Sequence, residues 1–179
     1  GWELHHPIEM QNYLLDTILE AGKKYNLKLV GARAQNWLRQ EKSYRAFGSD
    51  LGRDAGPFES NLSRFVDLSK NFLGKVELEK RKLEYLCITL LIDGPEDTDP
   101  WGREVIYDAS GENVLGRLTS GGYSVHFQKS IGIGYVKEKF STTGTKVKIK
   151  INNQLFSAEI VEDSPYDPKN ERIINREIS

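Results

Sequence analysis

Cysteine is almost absent from this 179-residue chain, in which Cys87 stands alone. A single cysteine excludes an internal disulfide and a multi-cysteine metal cluster, and it is compatible with a reducing compartment. Cys87 lies within the apolar run 86–88. We therefore interpret it as a buried, inert thiol rather than as a nucleophile.

The chain also lacks an excess of charge of either sign, because 25 basic residues are balanced by 26 acidic ones. Bulk electrostatics therefore give no support to nucleic acid or a membrane as a partner. No apolar run reaches the roughly 20 residues that a membrane-spanning helix requires. The composition, with 38% apolar and 28% charged residues, is typical of a soluble globular protein.

Histidine is scarce, and the three that occur are His5, His6 and His126. Neighbouring side chains on a strand point to opposite faces, so His5 and His6 are not expected to chelate one metal ion. No serine or cysteine has a nearby histidine that would complete a nucleophilic triad. The acidic stretch 93–99 lacks ligands that a calcium loop requires, so we interpret it as a solvated connection. We predict no metal site and no catalytic residue within the chain.

The first part of the chain shows a mixed pattern of strands and helices. Residues 1–4 and 27–30 are short extended runs that predict β-strands. Apolar spacing predicts an amphipathic helix over 8–24 and then a second helix in which one face carries Ala34, Trp37, Leu38 and Glu41. Because a strand that opens a chain needs a partner, we expect these residues to be a piece of a larger protein.

Beyond residue 82 the pattern becomes that of short strands separated by turns. We predict about six antiparallel strands, over residues 85–92, 104–107, 114–119, 131–136, 146–151 and 155–161. The pair Asn152-Asn153 predicts a tight hairpin between the last two strands. The glycine-rich stretch 47–57 predicts a loop of a length that is often functional.

Five short signatures follow one another along nearly the whole chain. They are Gly-Trp-Glu-Leu-His-His-Pro at 1–7, Leu-Arg-Gln-Glu-Lys-Ser-Tyr-Arg-Ala-Phe-Gly-Ser-Asp-Leu at 38–51, Asn-Phe-Leu-Gly-Lys at 71–75, Leu-Thr-Ser-Gly-Gly-Tyr-Ser at 118–124 and Lys-Ser-Ile-Gly-Ile-Gly-Tyr-Val at 129–136. In this order and spacing they resemble the glycine-cleavage T-protein, or aminomethyltransferase, family. The second and fourth are most similar to the folate-binding C-terminal portion of dimethylglycine and sarcosine dehydrogenases.

This resemblance implies an α+β chain with two parts. Residues 1–75 would be the end portion of a T-protein-like α/β folate-binding core, truncated upstream, and residues 76–179 a small antiparallel β-barrel. The implied cofactor is tetrahydrofolate, which accepts a one-carbon unit to form 5,10-methylenetetrahydrofolate. The implied donor is a small methylated amine or aminomethyl compound, and the family's catalytic aspartate has no counterpart here. FAD is expected only in an upstream domain, and the chain alone is expected to be inactive.

Four residues match positions that the family resemblance associates with folate. Glu3 matches the pterin-binding glutamate, since an ionised carboxylate accepts paired hydrogen bonds from pterin N–H groups. The glutamyl tail of folate is anionic and suits an arginine, but the family's arginine is replaced by Gln35. Arg64 and Arg39 are the alternatives for that role. Tyr123 is expected at a barrel turn facing the folate channel.

Several alternatives stay open at the level of sequence. Arg39 is also compatible with a buried ion-pair network that includes Glu41 and Arg45. Gln35 leaves room for a non-catalytic regulatory or scaffold relative that keeps the barrel for protein contacts. A folate-dependent demethylase acting on a methylated sulfur or oxygen compound is a third possibility. A folate role and a single cysteine favour the cytoplasm, with the mitochondrial matrix as the alternative location.

Overall fold

A computed structural model describes residues 2–174 of the chain, without the side chains of Asp97 and Ile173. By compactness the chain divides into two units, Gly1–Ala32 and Arg33–Ser179. The family resemblance predicts a boundary between two family domains after residue 75, which is not a division by compactness. That boundary stays a prediction. No helix within the described residues is long and apolar enough to cross a bilayer.

The first unit contains one regular helix, α1, at Gln11–Gly22. A 3₁₀ turn at Ile8–Met10 precedes it and another at Lys23–Tyr25 follows, so the predicted helix over 8–24 is observed. Gly22 is the unit's one buried residue among those described. Its backbone packs so closely on Leu27 that an added Cβ would come within 2.6 Å of that side chain.

The two strands predicted in this unit are not observed. Residues 2–7 and 27–31 carry no strand, and residue 1 lies outside the described residues. Leu29 and Val30, which suggested the second strand, are exposed. A strand is defined by pairing with a neighbour, and within residues 2–174 neither segment has one.

The second unit is built on a closed barrel of six antiparallel strands. The strands are β1 Tyr85–Ile92, β2 Val105–Tyr107, β3 Val114–Ser124, β4 Lys129–Lys137, β5 Lys146–Ile151 and β6 Gln154–Val161. Their order around the barrel is β1-β4-β3-β2-β5-β6, and β6 pairs with β1 to close it. The predicted α+β class with an antiparallel barrel is confirmed, and β3 and β4 are longer than the sequence pattern suggested.

The barrel interior holds the apolar core. Alternation along each strand sends every second side chain inward. The core residues are Ile88, Leu90, Ile92, Ile106, Leu115, Leu118, Val136, Val147, Ile149, Ile151, Ala158 and Ile160. Asn152 and Asn153 join β5 to β6 with φ angles of 47° and 65°, the left-handed backbone that a tight type I′ hairpin needs. The predicted hairpin is therefore confirmed.

Three helices flank the barrel in sequence: α2 at Ala32–Glu41, α3 at Lys75–Lys80 and α4 at Glu171–Ile174. The face of α2 that meets the barrel carries Gln40 and Glu41, both buried. Of the predicted face, Ala34 and Trp37 are half-buried and Glu41 is buried. Leu38 is more than half exposed, so its predicted place on that face is wrong. The helix meets the barrel through buried polar side chains as well as through Trp37, and a pattern of apolar residues does not reveal the polar part of that face.

Candidate functional site

Residues 36–51, the end of α2 and the loop that follows, form what we call the docking segment. Its side chains Gln40, Glu41, Ser43 and Asp50 are polar, and each is at most 5% exposed. Buried polar groups are costly unless they are hydrogen-bonded. The partners of these side chains therefore define how the segment is held against the barrel.

Asp50 is the centre of the first contact. Its carboxylate pairs with the Arg39 guanidinium at 2.7 Å and accepts the Ala46 N–H at 2.9 Å. It also accepts the hydroxyls of Thr119 at 2.5 Å and Ser120 at 2.7 Å, both on β3. Two signatures far apart in sequence, 38–51 and 118–124, thus meet at one buried carboxylate.

The Arg39 guanidinium donates to four protein acceptors. Its Nε donates to the Asn36 side-chain oxygen at 2.9 Å, and one terminal nitrogen donates to the Tyr44 carbonyl at 2.8 Å as well as to Asp50. The other terminal nitrogen donates to Ser120 Oγ at 2.6 Å. The planar guanidinium is suited to bridging several acceptors in this way. Glu41 is not part of this group, so the network predicted for Arg39 has different members.

A second contact joins α2 to the glycines of β3. Glu41 accepts a hydrogen bond from Ser124 Oγ, and Gln40 donates to the Gly121 carbonyl at 3.1 Å. An added Cβ on Gly122 would lie 2.2 Å from the Trp37 ring. The glycine pair therefore allows the helix to approach the strand closely.

Tyr123 lies inside β3 rather than at a turn. It pairs with Ser130 across the β3–β4 ladder and is 9% exposed, with a long contact of 3.5 Å from its hydroxyl to Gln128. The expectation that it sets a barrel turn is wrong. The turn falls beyond β3, between Ser124 and Lys129.

A third contact surrounds Arg45, which is paired with Asp163 at 2.6 Å and has a side chain only 5% exposed. Asp163 also accepts hydrogen bonds from Asn61 at 2.7 Å and from Thr89 on β1 at 3.3 Å. Beside Arg45, burial raises the pKa of the Cys87 thiol to about 11, although the guanidinium opposes the shift. The interpretation of Cys87 as a buried thiol is confirmed.

An open cavity of about 860 Å³ is lined by Asp50 and its neighbours in the loop 48–55 and by residues of strands β2 and β3. Tyr135 forms part of its wall, where its hydroxyl donates to the Asp50 carbonyl at 2.8 Å. Burial raises the pKa of Tyr135 to about 12. None of the four predicted site residues lines this cavity.

The raised pKa values of Cys87 and Tyr135 predict a loss of stability at high pH. A raised folded-state pKa means that the unfolded chain releases its proton first, so stability is present below the unfolded value and falls above it. For Cys87 the window runs from about pH 9 to about pH 11, and the loss should be roughly 2 to 3 kcal/mol. Urea unfolding at pH 8 and pH 11 measures it.

Cys87→Ala is the matching variant for this measurement. Without the thiol, the fall should begin about one pH unit higher, where the pKa of unfolded Tyr135 lies. An unchanged pH profile in Cys87→Ala would contradict the assignment, since the alkaline loss would then have another source.

Glu3 lies in the first unit, in the segment before the first turn. Its side chain is 86% exposed, and its carboxylate lies 3.9 Å from Nε2 of the His5 ring. Arg64 lies in the second unit, in the 3₁₀ turn Ser63–Phe65, and is also exposed. Its guanidinium stacks on the Phe65 ring at 4.8 Å and forms no ion pair with another described side chain.

Gln35, the residue in place of the family's arginine, is exposed on α2. Two positions earlier, the Arg33 guanidinium lies 5.3 Å from the centre of the Trp37 ring and 4.7 Å from that of Trp101, and it pairs with Asp99. The exposed Trp101 ring is thus in a cation–π contact with the Arg33 guanidinium. Among the described side chains, no group of histidine, cysteine and acidic residues could hold a metal ion.

Sequence reasoning missed Asp50, whose carboxylate accepts hydrogen bonds both from the docking segment and from β3. It saw residues 38–51 as a family signature but assigned no role to this acid. The available signal was the presence of Arg39 in one signature and of the hydroxyls of Thr119 and Ser120 in another. Three such donors that meet in a fold need an anionic acceptor between them.

The fold and the docked helix define a class of protein: a small closed barrel that receives a helix and a polar loop from the preceding segment. Comparison with models of known protein families identifies the family within this class. The GCVT N-terminal domain matches residues 1–70, and the glycine cleavage T-protein C-terminal barrel domain matches residues 86–167. The chain belongs to the glycine cleavage T-protein family, as its signatures predicted.

Individual relatives agree with this assignment. Mitochondrial dimethylglycine dehydrogenase of Homo sapiens is 36% identical over 170 residues, covering 91% of this chain and 19% of that protein. Aminomethyltransferase of Caldanaerobacter subterraneus subsp. tengcongensis is 33% identical over 176 residues, covering 93% and 44%. The crystal structure of glycine cleavage system aminomethyltransferase T from Bartonella henselae superposes with a TM-score of 0.77 at 21% identity, covering 90% and 45%. The chain therefore spans less than half the length of these relatives.

Proposed function

We propose that this chain is part of an aminomethyltransferase-like unit that binds tetrahydrofolate. Bound tetrahydrofolate would supply the acceptor nitrogen for a one-carbon unit, giving 5,10-methylenetetrahydrofolate. The observation that carries the proposal is the match of both T-protein family models, in order, along one chain. The folate-binding residues named below are part of the same proposal.

Glu3 has the role of binding the pterin. A pterin edge offers several N–H donors, and a carboxylate that accepts two of them forms stronger hydrogen bonds than a neutral acceptor. The Glu3 carboxylate is available for this role because, among the described side chains, its one ion-pair contact is a long and exposed approach of 3.9 Å to the His5 ring. Binding would remove water from the Glu3 carboxylate, and the paired hydrogen bonds to the pterin would offset the free-energy cost of that desolvation.

Arg64 has the role of binding the anionic glutamyl tail. Its guanidinium is exposed, stacks on Phe65 and has no ion-pair partner among the described side chains. Arg39, the other candidate, already donates to Asn36, Tyr44, Asp50 and Ser120. A tail carboxylate would have to displace these buried acceptors from Arg39, whereas Arg64 needs no such exchange.

Arg39 and Tyr123 then act indirectly. Arg39 holds the loop after α2 against β3 through Asp50, and Tyr123 fixes β3 from within its ladder with β4. We assign both to positioning the segment that precedes Arg64 rather than to contact with folate. The donor in this proposal is a small methylated amine or aminomethyl compound.

The wider setting follows from the relatives and is part of the proposal. Dimethylglycine dehydrogenase is more than five times longer than the matched region, so an upstream flavin domain is one setting for this unit. The aminomethyltransferases have no such excess length. The human dimethylglycine dehydrogenase is a mitochondrial protein, and we propose the mitochondrial matrix or the cytoplasm as the location of this chain.

Titration calorimetry of tetrahydrofolate into the protein in its full natural length tests this function. We expect saturable binding that Glu3→Gln weakens by about 2 kcal/mol, because the neutral amide replaces one acceptor by a donor. Glu9→Gln is the matched control, since Glu9 is an exposed acid of the same unit. Absence of binding by the folded protein, or equal weakening in both variants, would reject the proposed site.

A scaffold function is the second candidate, and Gln35 is the observation that favours it. An amide does not replace a guanidinium in gripping a carboxylate, and the nearby Arg33 is already paired with Asp99. If the protein is a scaffold, tetrahydrofolate titration gives no heat in the wild type. Binding lost in Glu3→Gln would argue against the scaffold.

A further inference from the structure

Two tryptophan rings converge on one cation at the start of α2. The Arg33 guanidinium lies 5.3 Å from the centre of the Trp37 ring and 4.7 Å from that of Trp101, and it pairs with the Asp99 carboxylate. Aromatic faces are the groups with which proteins surround an N-methylated ammonium ion, and a carboxylate adds the opposite charge. We call Trp37, Trp101 and Asp99 the cation cage, and Arg33 is its present occupant.

The walls of the cation cage are held by contacts that do not involve its occupant. The Trp37 ring packs against β3 at Gly122, where an added Cβ would lie 2.2 Å from the ring. On the other side, the two carboxylate oxygens of Glu104 accept the backbone N–H groups of Trp101 and Gly102, each at 2.8 Å. Because these contacts fix both indoles independently, the cage keeps its shape when the occupant moves away.

The loop that carries Asp99 and Trp101 has an unusual backbone. Asp99 and Arg103 have φ angles of 34° and 79°, in the left-handed region that residues other than glycine adopt rarely, and Gly102 has a φ of 106°. Such conformations persist where the surrounding structure fixes them, and they cluster at sites that bind ligands. Here the loop brings a carboxylate and an indole to the same guanidinium.

Arg33 leaves the cation cage incompletely satisfied. One carboxylate oxygen of Asp99 pairs with Arg33, whereas the other, Oδ1, is buried and has no hydrogen-bond partner among the described residues. A buried polar atom without a partner is costly, so Oδ1 calls for a further donor. The Trp101 ring is 74% exposed and the Arg33 side chain 49% exposed. The cage is therefore open to solvent on one side, and its occupant is free to leave in that direction.

The charge of the loop favours a cation as the ligand. In the sequence 93–104 a single base, Arg103, faces five acids: Asp93, Glu96, Asp97, Asp99 and Glu104. A protonated methylamine that keeps one N–H suits the cage, because the N–H can donate to Asp99 Oδ1 while the methyl groups carry positive charge to the indole faces. We infer that the cation cage binds a small N-methylated ammonium ion, which displaces Arg33. The cage shares no residue with the proposed folate site, and the inference does not depend on folate binding.

Fluorine NMR of the protein in its full natural length, labelled with fluorotryptophan, measures this binding without folate. The signals of Trp37 and Trp101 are identified by replacing each residue with Phe. The probes are trimethylammonium, tetramethylammonium and ammonium chlorides at equal ionic strength. We expect trimethylammonium to shift both signals saturably and to bind at least tenfold more tightly than ammonium, which lacks methyl groups. It should also bind at least threefold more tightly than tetramethylammonium, which has no N–H for Asp99. Equal responses to all three cations would be a general salt effect and would overturn the inference.

Arg33→Ala distinguishes a cage that binds cations from a contact that only holds the loop. Removal of the occupant should tighten trimethylammonium binding at least tenfold, because the cage no longer has to be vacated first. Arg33→Gln, which removes the charge but keeps a long side chain, should tighten it in the same direction. Arg117→Ala is the matched control, since it removes an exposed guanidinium from β3 and should bind like the wild type. Unchanged or weaker binding in both Arg33 variants, with thermal unfolding like that of the control, would show that Arg33 is not a displaceable occupant and would overturn the inference.

Discussion

Asp50→Ala should lower the free energy of unfolding by about 3 to 5 kcal/mol, the cost of breaking a buried ion pair by removing one partner. The change leaves the Arg39 guanidinium, largely buried, without its anion. It also removes the acceptor of the Thr119 and Ser120 hydroxyls and of the Ala46 N–H. Urea unfolding at neutral pH measures the loss.

Asp54→Ala is the control, because Asp54 is an exposed acid of the same loop. Its effect should stay within about 0.5 kcal/mol, as for surface substitutions without special contacts. A double-mutant cycle with Arg39→Gln should give a coupling energy of roughly 1 to 3 kcal/mol, since the two residues share one network. An Asp50→Ala variant as stable as Asp54→Ala would show that the docking segment is not held through this carboxylate.

The barrel was predictable because its signal is local. Alternation of apolar and polar residues states which side chains face inward, and β1 and β5 were predicted with their observed bounds. The hairpin at Asn152 and Asn153 was predictable for the same reason, since both residues tolerate a left-handed backbone. Closure of the sheet through the β6–β1 pair lies outside such reasoning, because that pairing joins distant residues.

The strands expected at 1–4 and 27–30 show the limit of local patterns. The residues of 27–30 have the composition of a strand, yet Leu29 and Val30 are exposed and unpaired with any strand of residues 2–174. Extended propensity becomes a strand only where a partner edge is available. The composition of a segment shows its tendency to be extended, but it does not show whether a partner strand lies beside it.

Tyr123, which was expected at a barrel turn, directly follows the two glycines of the 118–124 signature. Gly121-Gly122 is a common turn pair, but here both lie inside β3. An added Cβ on Gly121 would meet the Pro100 carbonyl oxygen at 2.6 Å, and one on Gly122 would meet the Trp37 ring. The small residues are needed for close approach by other segments, which places Tyr123 in a strand.

The family signatures of this chain are largely the two sides of one contact. In the 38–51 signature, Arg39 and Glu41 bind residues of the 118–124 signature directly, and Asp50 does so from the loop. Resemblance correctly identified the family from these runs. It did not separate residues that hold the docking segment from residues that meet a ligand, because both kinds are fixed by partners far away in the sequence.

Gly116→Ala should destabilise the barrel by about 3 kcal/mol or more, at or above the upper end for overpacking. A Cβ at this position would lie 1.8 Å from the Tyr135 carbonyl oxygen and 2.9 Å from the Val136 Cα, both on β4. These are backbone atoms of a paired strand, so no side-chain rotation relieves the clash. Thermal unfolding by circular dichroism and urea unfolding both measure the effect.

The same change should weaken the docking of the loop after α2. The register of β3 shifts between Leu118 and Ser120, just beyond Gly116, and this bulged stretch carries the hydroxyls that Asp50 accepts. Pushing β3 away from β4 would move those donors, so hydrogen exchange around 46–51 should speed up along with the loss of stability. Gly52→Ala, where nothing lies within 4 Å of the added Cβ, should stay within about 0.5 kcal/mol of the wild type. Equal stability of the two alanine variants would mean that β3 and β4 do not approach as closely as the Gly116 contact requires.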